Sequence, residues 1–162
     1  MSAKFSDALL PHYCSSEKAN NRYHTMDYVD VVAFLVYENG RVLVEKRSED
    51  KEVDPGIVVT PSGHVEKSES LDEACHRELK EELGLECEKL EKITEETWDA
   101  DVEKQLIHYF EYKDWRGEPE AREAEEIYWV GPEDLEIMDI QWERKLIKEF
   151  FEQVGTIQEE EL

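Results

Sequence analysis

The chain is short of cations, of cysteines and of long apolar runs, and each shortage removes a class of protein. Its 162 residues carry 19 Lys and Arg against 42 Asp and Glu, for a formal net charge of −23. A nucleic-acid or anionic-membrane face needs clustered Lys and Arg, so neither partner is expected. Three cysteines, Cys14, Cys75 and Cys87, are an odd set without metal-ligand spacing. They read as reduced thiols, which points to the cytoplasm. No stretch approaches the length of a membrane span, and the first residues lack the basic and then apolar order of a signal peptide. The chain has 5 prolines and 7 glycines with no repeat or low-complexity segment, so nothing marks a linker between domains. The acidity reads first as a soluble surface; a high-salt cytoplasm is the alternative, weakened because Lys outnumbers Arg.

What is present suits one domain with a core, since 40% of the residues are apolar. Residues 1–26 are aperiodic and read as an N-terminal arm, 27–156 as the domain, and 157–162 as a frayed acidic tail. Tyr28 to Tyr37 is an apolar β-branched run, separated by Asn39-Gly40 from Val42-Leu43-Val44. An Asn-Gly pair between such runs is the strongest short hairpin signal. Lys46 to Gly56 reads as a charged loop, and Ile57 to Thr60 as a short strand. Leu85 to Thr97, Lys104 to Tyr112 and Glu126 to Val130 read as further strands, the second with Leu106, His108, Phe110 and Tyr112 on one face. Gly131-Pro132 leads into a helical turn, and Trp142, Leu146, Ile147, Phe150 and Val154 stand at helical spacing in a closing helix over about 141–154. This order predicts the α/β class, with a mixed sheet between helices.

The densest information lies between Gly63 and Leu85. Ser70 and Glu73 form a capping box that starts a helix at Leu71, and Gly84 is placed to end it. Leu71, Cys75, Leu79 and Leu83 form the apolar stripe of that helix. Glu78, Glu81 and Glu82 cluster beside the stripe and overlap its edge, where solvated glutamates are out of place. Like charges at this spacing repel by roughly 0.2 to 0.5 kcal/mol per pair, and a bound cation reverses the sign. Hard carboxylate oxygens suit Mg²⁺ or Mn²⁺.

Written as a pattern, the segment is G-x5-E-x7-R-E-U-x-E-E-x-G-U, with U apolar, and every fixed position from Gly63 through Glu69, Arg77, Glu78, Glu81, Glu82, Gly84 and Leu85 is filled. It resembles the signature of the Nudix hydrolases; a chance match has odds of roughly one in a million on composition. The resemblance implies an α/β/α sandwich from Asp27 on, with Glu78 and Glu82 as metal ligands and Glu81 as a further ligand or water activator. It also implies a cation that bridges phosphate oxygens and orients water for in-line attack at phosphorus. Gly63 would let the backbone turn tightly so that its carbonyl approaches the cation. Glu69 and Arg77 read as a salt bridge steadying the loop, ahead of direct phosphate contact.

Outside the signature, MutT-type members place another glutamate before the last strand. Glu123 occupies a matching position relative to Trp129, with Glu120, Glu125 and Glu126 as rivals. Arg47, ending the second strand, is a phosphate-contact candidate against an ordinary surface charge. His64 is a second, weaker one. Trp98, Trp115 and Trp129 are candidates to stack a base, against core or rim packing. The family's frequent Pro-Gly-Gly is Pro61-Ser62-Gly63 here, which implies a stiffer loop, and the aromatic that often precedes that proline is absent. ADP-ribose members of the family tend to carry a proline beyond the signature, whereas none occurs here from Leu85 until Pro119, and the coenzyme A signature is missing as well, which argues against both substrate classes. The resemblance therefore implies a metal-dependent hydrolase of small nucleotides, foremost a nucleoside triphosphate pyrophosphohydrolase of MutT type. Nucleotide sugars and dinucleoside polyphosphates are alternatives, as are a non-catalytic nucleotide-binding module and a structural protein with an acidic helix. Exposed edge strands and the arm leave a homodimer open.

Overall fold

The computed structural model describes residues 27–160; the expected arm at 1–26 and the last two residues of the expected tail lie outside them. In chain order the elements are β1 (Val29–Glu38), β2 (Arg41–Lys46), β3 (Val58–Val59), β4 (Ser62–His64), α1 (Leu71–Leu83), β5 (Glu86–Asp99), β6 (Lys104–Arg116), β7 (Glu126–Val130), a 3₁₀ helix (Pro132–Ile137) and α2 (Gln141–Glu160). Asn39 and Gly40 turn β1 into β2 with φ of 50° and 76°. Two successive positive φ values match the right-handed twist of the flanking strands, which is why an Asn-Gly pair sits there.

The sheet runs β3-β2-β1-β6-β5, with β4 on β1 and β7 on β2. β1 and β6 are parallel from Val29 opposite Gln105 to Val36 opposite Tyr112, and every other pairing in this sheet is antiparallel. The second edge of β1 is shared. Its first half pairs with β4 (Val31 with His64, Ala33 with Ser62), and its end pairs with β2 (Tyr37 with Val42). The sheet therefore forks along β1 and brings β4 and β2 to the same side of that strand.

Both faces are covered, so the expected α/β/α sandwich is the fold. Val32, Phe34 and Val36 pack with Leu43, Phe110 and Tyr112 against Ala74, Cys75, Leu79 and Leu83 of α1. The alternate residues face α2: Leu35 joins Met138, Ile147 and Phe150, while Val31 and Ala33 join Ile107 and Tyr109 beneath Trp142 and Leu146. Coverage on both sides explains the unbroken apolar run Val31 to Val36, since a half-solvated strand would alternate. For the same reason Gln105, Ile107 and Tyr109 of β6 are buried as well as His108, Phe110 and Tyr112 of the face predicted from sequence, whose first residue, Leu106, is only half-buried.

Two elements differ from expectation. β4 has no β-branched or aromatic residue to announce it; pairing with β1 alone makes Ser62–His64 a strand. α2 continues to Glu160 instead of ending near 154, so residues 157–160 of the expected tail are helical. Gly155 costs about 1 kcal/mol against Ala in a helix, and with no proline following it that is too little to stop a helix anchored in the core. Among the described residues, no helix is long and apolar enough to cross a membrane.

Candidate active site

The site is built outward from α1, whose ends are fixed by the predicted chemistry. Ser70 Oγ accepts the Glu73 amide at 3.1 Å, and Glu73 Oε2 accepts the Ser70 amide at 2.8 Å. Gly84 closes the helix at φ 71°, its amide donating to the Lys80 carbonyl at 3.0 Å and that of Leu85 to the Leu79 carbonyl at 3.4 Å. With the ends pinned and Leu79 and Leu83 sealed in the core, the rotation of α1 is set. Glu78 and Glu82 are thereby carried to 8% and 5% exposure at the edge of the sheet, while Glu81 stays half exposed.

Gly63 meets this face of the helix. A Cβ built on Gly63 would stand 2.0 Å from the Glu78 carboxyl carbon. The expected reason for glycine was a tight turn; here Gly63 lies in β4 opposite Val32, without a positive φ, so its missing side chain makes room for Glu78. Arg77 gathers the surrounding carboxylates. It clasps Glu69 with Nε at 2.7 Å and Nη2 at 2.8 Å, and donates to Glu78 at 2.6 Å, Glu81 at 3.0 Å and the His64 carbonyl at 2.9 Å. The Arg77 hydrogen bond, helped by the Glu66 amide, holds the Glu69 carboxyl down to about 2. The clasp ties the loop after β4 to the helix, as expected of that pair.

A second group of carboxylates stands beside Glu82. Glu45, on β2, is buried at 3% exposure with one oxygen, Oε2, lacking any hydrogen-bond partner. Burial pushes its carboxyl up to about 7, against the pull of Arg47 and Lys51. Burial also raises Glu82, as do the neighbouring charges of Glu45 and Glu123. Glu123 adjoins Glu82 and accepts from Lys51, whose Nζ is 2.9 Å away and holds the Glu123 carboxyl below its usual range. The loop carrying Glu123 is laid on the C-terminal carbonyls of α1: the Glu120 amide donates to Leu83 at 3.0 Å, the Arg122 amide to Glu82 at 3.2 Å, and Arg122 Nη1 to Lys80 at 3.0 Å. The Glu82 and Leu83 carbonyls lack intrahelical donors, so the loop supplies them, while the Lys80 carbonyl, already taken by the Gly84 amide, gains a second donor. The rivals are engaged elsewhere: Glu120 with Arg122, Glu125 with Lys46, and Glu126 with the Tyr128 hydroxyl.

Glu78, Glu81, Glu82, Glu123, Gly63, Arg47, His64 and Arg77 all line one cavity of about 470 Å³; Glu69 reaches it through Arg77. Arg47 is half-buried and follows β2, which ends one residue earlier than expected; its Nε donates to the Val53 carbonyl at 3.0 Å. His64 Nε2 is 2.6 Å from Glu103. The cavity is also lined by Trp98, Val102, Ile107, Tyr109 and Ile140. The Trp98 indole is oriented by donation to Asp54 Oδ2 at 2.7 Å. Trp115 and Trp129 do not line this cavity; their rings pair at 6.1 Å in a separate groove.

Three residues of the site escaped the sequence reading: Glu45, Lys51 and Glu143. Glu143, on α2, is fully buried and accepts the Thr60 amide at 3.1 Å, the Tyr109 hydroxyl at 2.7 Å and the Thr60 hydroxyl. Burial raises its carboxyl while these donors oppose the rise.

The donors present fit a hard divalent cation. Glu78, Glu82 and Glu123 offer only oxygen, the unpartnered Oε2 of Glu45 lies behind them, and Gly63 clears the approach. As the side chains stand, Arg77 and Lys51 supply the positive charge. Among the described residues, no three acidic, imidazole or thiol side chains gather round one point.

Comparison with known proteins bears on the same residues. The sequence pattern of the NUDIX domain matches residues 26–150. The CTP pyrophosphohydrolase of Escherichia coli K12 is 28% identical over 109 residues, covering 67% of this chain and 80% of that protein. The nucleoside triphosphatase NudI of Escherichia coli O17:K52:H18 is 32% identical over 123 residues, covering 68% and 86%. Among solved structures, the MutT protein of Methanosarcina mazei Go1 superposes with a TM-score of 0.69 at 24% identity, covering 81% of this chain and 97% of that one, which speaks to the fold. With the filled signature, the sandwich and the domain match in agreement, the chain belongs to the NUDIX family and is a Nudix hydrolase.

Proposed function

We propose that this hydrolase cleaves a nucleoside triphosphate to the nucleoside monophosphate and pyrophosphate. The observation that carries the reading is the mixed lining of the cavity. Carboxylates Glu78, Glu82 and Glu123 and two cations, Arg47 and Lys51, line it together with Trp98, Val102 and Ile140. A triphosphate with its base calls for both kinds of surface. Two of the relatives are named for action on nucleoside triphosphates or CTP, in line with this substrate class.

Nudix hydrolases generally use a divalent metal. Here Glu78 and Glu82, with Glu123 and the Gly63 carbonyl, would hold Mg²⁺ or Mn²⁺, which supplies Lewis acidity and neutralises phosphate charge. The chain's own residues do the rest. Arg47 and Lys51 counter the charge on the phosphates. Glu81, half exposed and steadied by Arg77, accepts a proton from the attacking water, with the Glu82–Glu123 pair as the alternative base. As water bonds to phosphorus the bridging P–O bond breaks and pyrophosphate leaves. Trp98, held by Asp54, offers a face for the base. A cytoplasmic protein acting on small nucleotides, without nucleic acid or membrane, belongs to the same reading.

A panel of nucleoside triphosphates, nucleotide sugars and dinucleoside polyphosphates with Mg²⁺ tests it, with products resolved by anion exchange. Monophosphate and pyrophosphate from a triphosphate are expected. Diphosphate plus free phosphate would relocate the bond cleaved, and turnover confined to the other classes would overturn the substrate assignment.

A further inference from the structure

The loop between β2 and β3 carries a lysine into the carboxylate cluster. Lys51 Nζ lies 2.9 Å from Glu123 Oε2, and Glu123 in turn adjoins Glu82. The same ammonium acts electrostatically on Glu45 and Glu82. An ordinary surface ion pair is worth roughly 0 to 1 kcal/mol and carries no function. Two features set this one apart. Lys51 lines the cavity, and its side chain is only 32% exposed. Its partners are also crowded carboxylates, with Glu45 Oε2 unpartnered behind them. The loop is held so that the lysine points there: the Arg47 amide donates to the Ile57 carbonyl at 2.9 Å, Arg47 Nε to Val53 at 3.0 Å, and Asp54 accepts from Trp98 at 2.7 Å.

A divalent cation drawn to Glu82 and Glu123 and an ammonium already on Glu123 repel each other at contact distance, so both cannot hold the same oxygens. We propose that Lys51 is the resident counter-ion of this cluster, occupying the position that the divalent cation takes, and that the exchange frees its ammonium for the substrate's phosphates. The inference rests on the reading above that these carboxylates bind the cation. It makes cation binding an exchange of one positive charge for two, and it gives the lysine one partner before the exchange and another after it.

Calorimetric titration of Mn²⁺ into the metal-stripped full chain tests this without turnover. Wild type should bind, Glu82→Gln should lose most of that binding, Lys51→Met should bind about tenfold tighter, and Lys51→Arg should match wild type. Equal or weaker binding by Lys51→Met overturns the exchange while leaving the cation site intact. Binding that Glu82→Gln does not change overturns the cation site and the exchange together. A wild-type measurement keeps the test independent of how the variants fold: with lysines tagged by ¹³C-methyl groups, the Lys51 resonance should move as Mg²⁺ is added, and a stationary resonance overturns the exchange. At saturating Mn²⁺, Lys51→Met should raise KM for the triphosphate several-fold with kcat within about twofold; an unchanged KM overturns the transfer to phosphate.

Discussion

Each helix of the sandwich buries a glutamate against the same cavity, and the two are treated oppositely. Glu143 on α2 accepts three hydrogen bonds from neutral donors, the Thr60 amide, the Thr60 hydroxyl and the Tyr109 hydroxyl. Glu82 on α1 meets another carboxyl, Glu123, with Glu45 beside it. Burial of a carboxylate therefore does not mark function by itself. A glutamate whose oxygens are all answered by the protein is holding strands to a helix; one left among its own kind is waiting for a ligand.

The comparison breaks most visibly at Glu82. Glu82→Gln should lower kcat about a thousandfold, as removal of a charge-stabilising group does, while the metal-free melting temperature holds or rises because a crowded charge is gone. A variant that kept activity, or melted several degrees lower, would erase the distinction. Glu143→Ala should do the reverse. It leaves three buried donors without an acceptor and should cost about 3 kcal/mol in urea unfolding, with kcat per folded molecule changed less than about threefold.

The pH dependence sharpens the contrast further. Because Glu45 is raised to about 7 in the folded state, its contribution is complete below the unfolded carboxylate range and is lost as pH rises to about 7. In chelator, Glu45 alone should cost the protein up to about 3 kcal/mol between pH 4.5 and 7.5, raised Glu82 adds to the loss, and Glu45→Gln should make the curve shallower. Glu69, held down to about 2, acts only at lower pH and does not mask this. Gly63→Ala should have the smallest effect, about a tenfold drop in kcat, because the new Cβ displaces the Glu78 carboxyl while the β4 backbone keeps its pairing. An unchanged rate would separate Glu78 from the chemistry.

Much of the site's frame was legible because it is local. The capping box, the Gly84 stop and the apolar stripe fix the rotation of α1 within a few turns, and that rotation sets where Glu78 and Glu82 point. Glu45 lies one residue beyond the apolar run Val42 to Val44, on the buried face of Leu43, and its charge gives hydropathy nothing to mark it by. Glu143 had a signal too, since it keeps helical spacing with Ile147, Phe150 and Val154. A stripe defined by apolar residues skips it because it is charged. The pairing of Lys51 with Glu123 had no such trace. Two loops far apart in the chain are brought together only by the pairing of β2 with β7, and before that those residues have no relation.

The unbroken strand β1 also shapes how the chain reaches its fold. Val31 to Val36 is buried at every position, yet in the antiparallel hairpin it meets β2 only at its end, and its full-length parallel partner β6 comes far later in the chain. Long-range parallel pairing forms slowly, so during synthesis this six-residue segment is a bare β-former with the composition of an aggregation nucleus. Asp30 and Glu38 stand just outside it. They act as gatekeepers, like charges that make two nascent copies repel before either finds its own sixth strand.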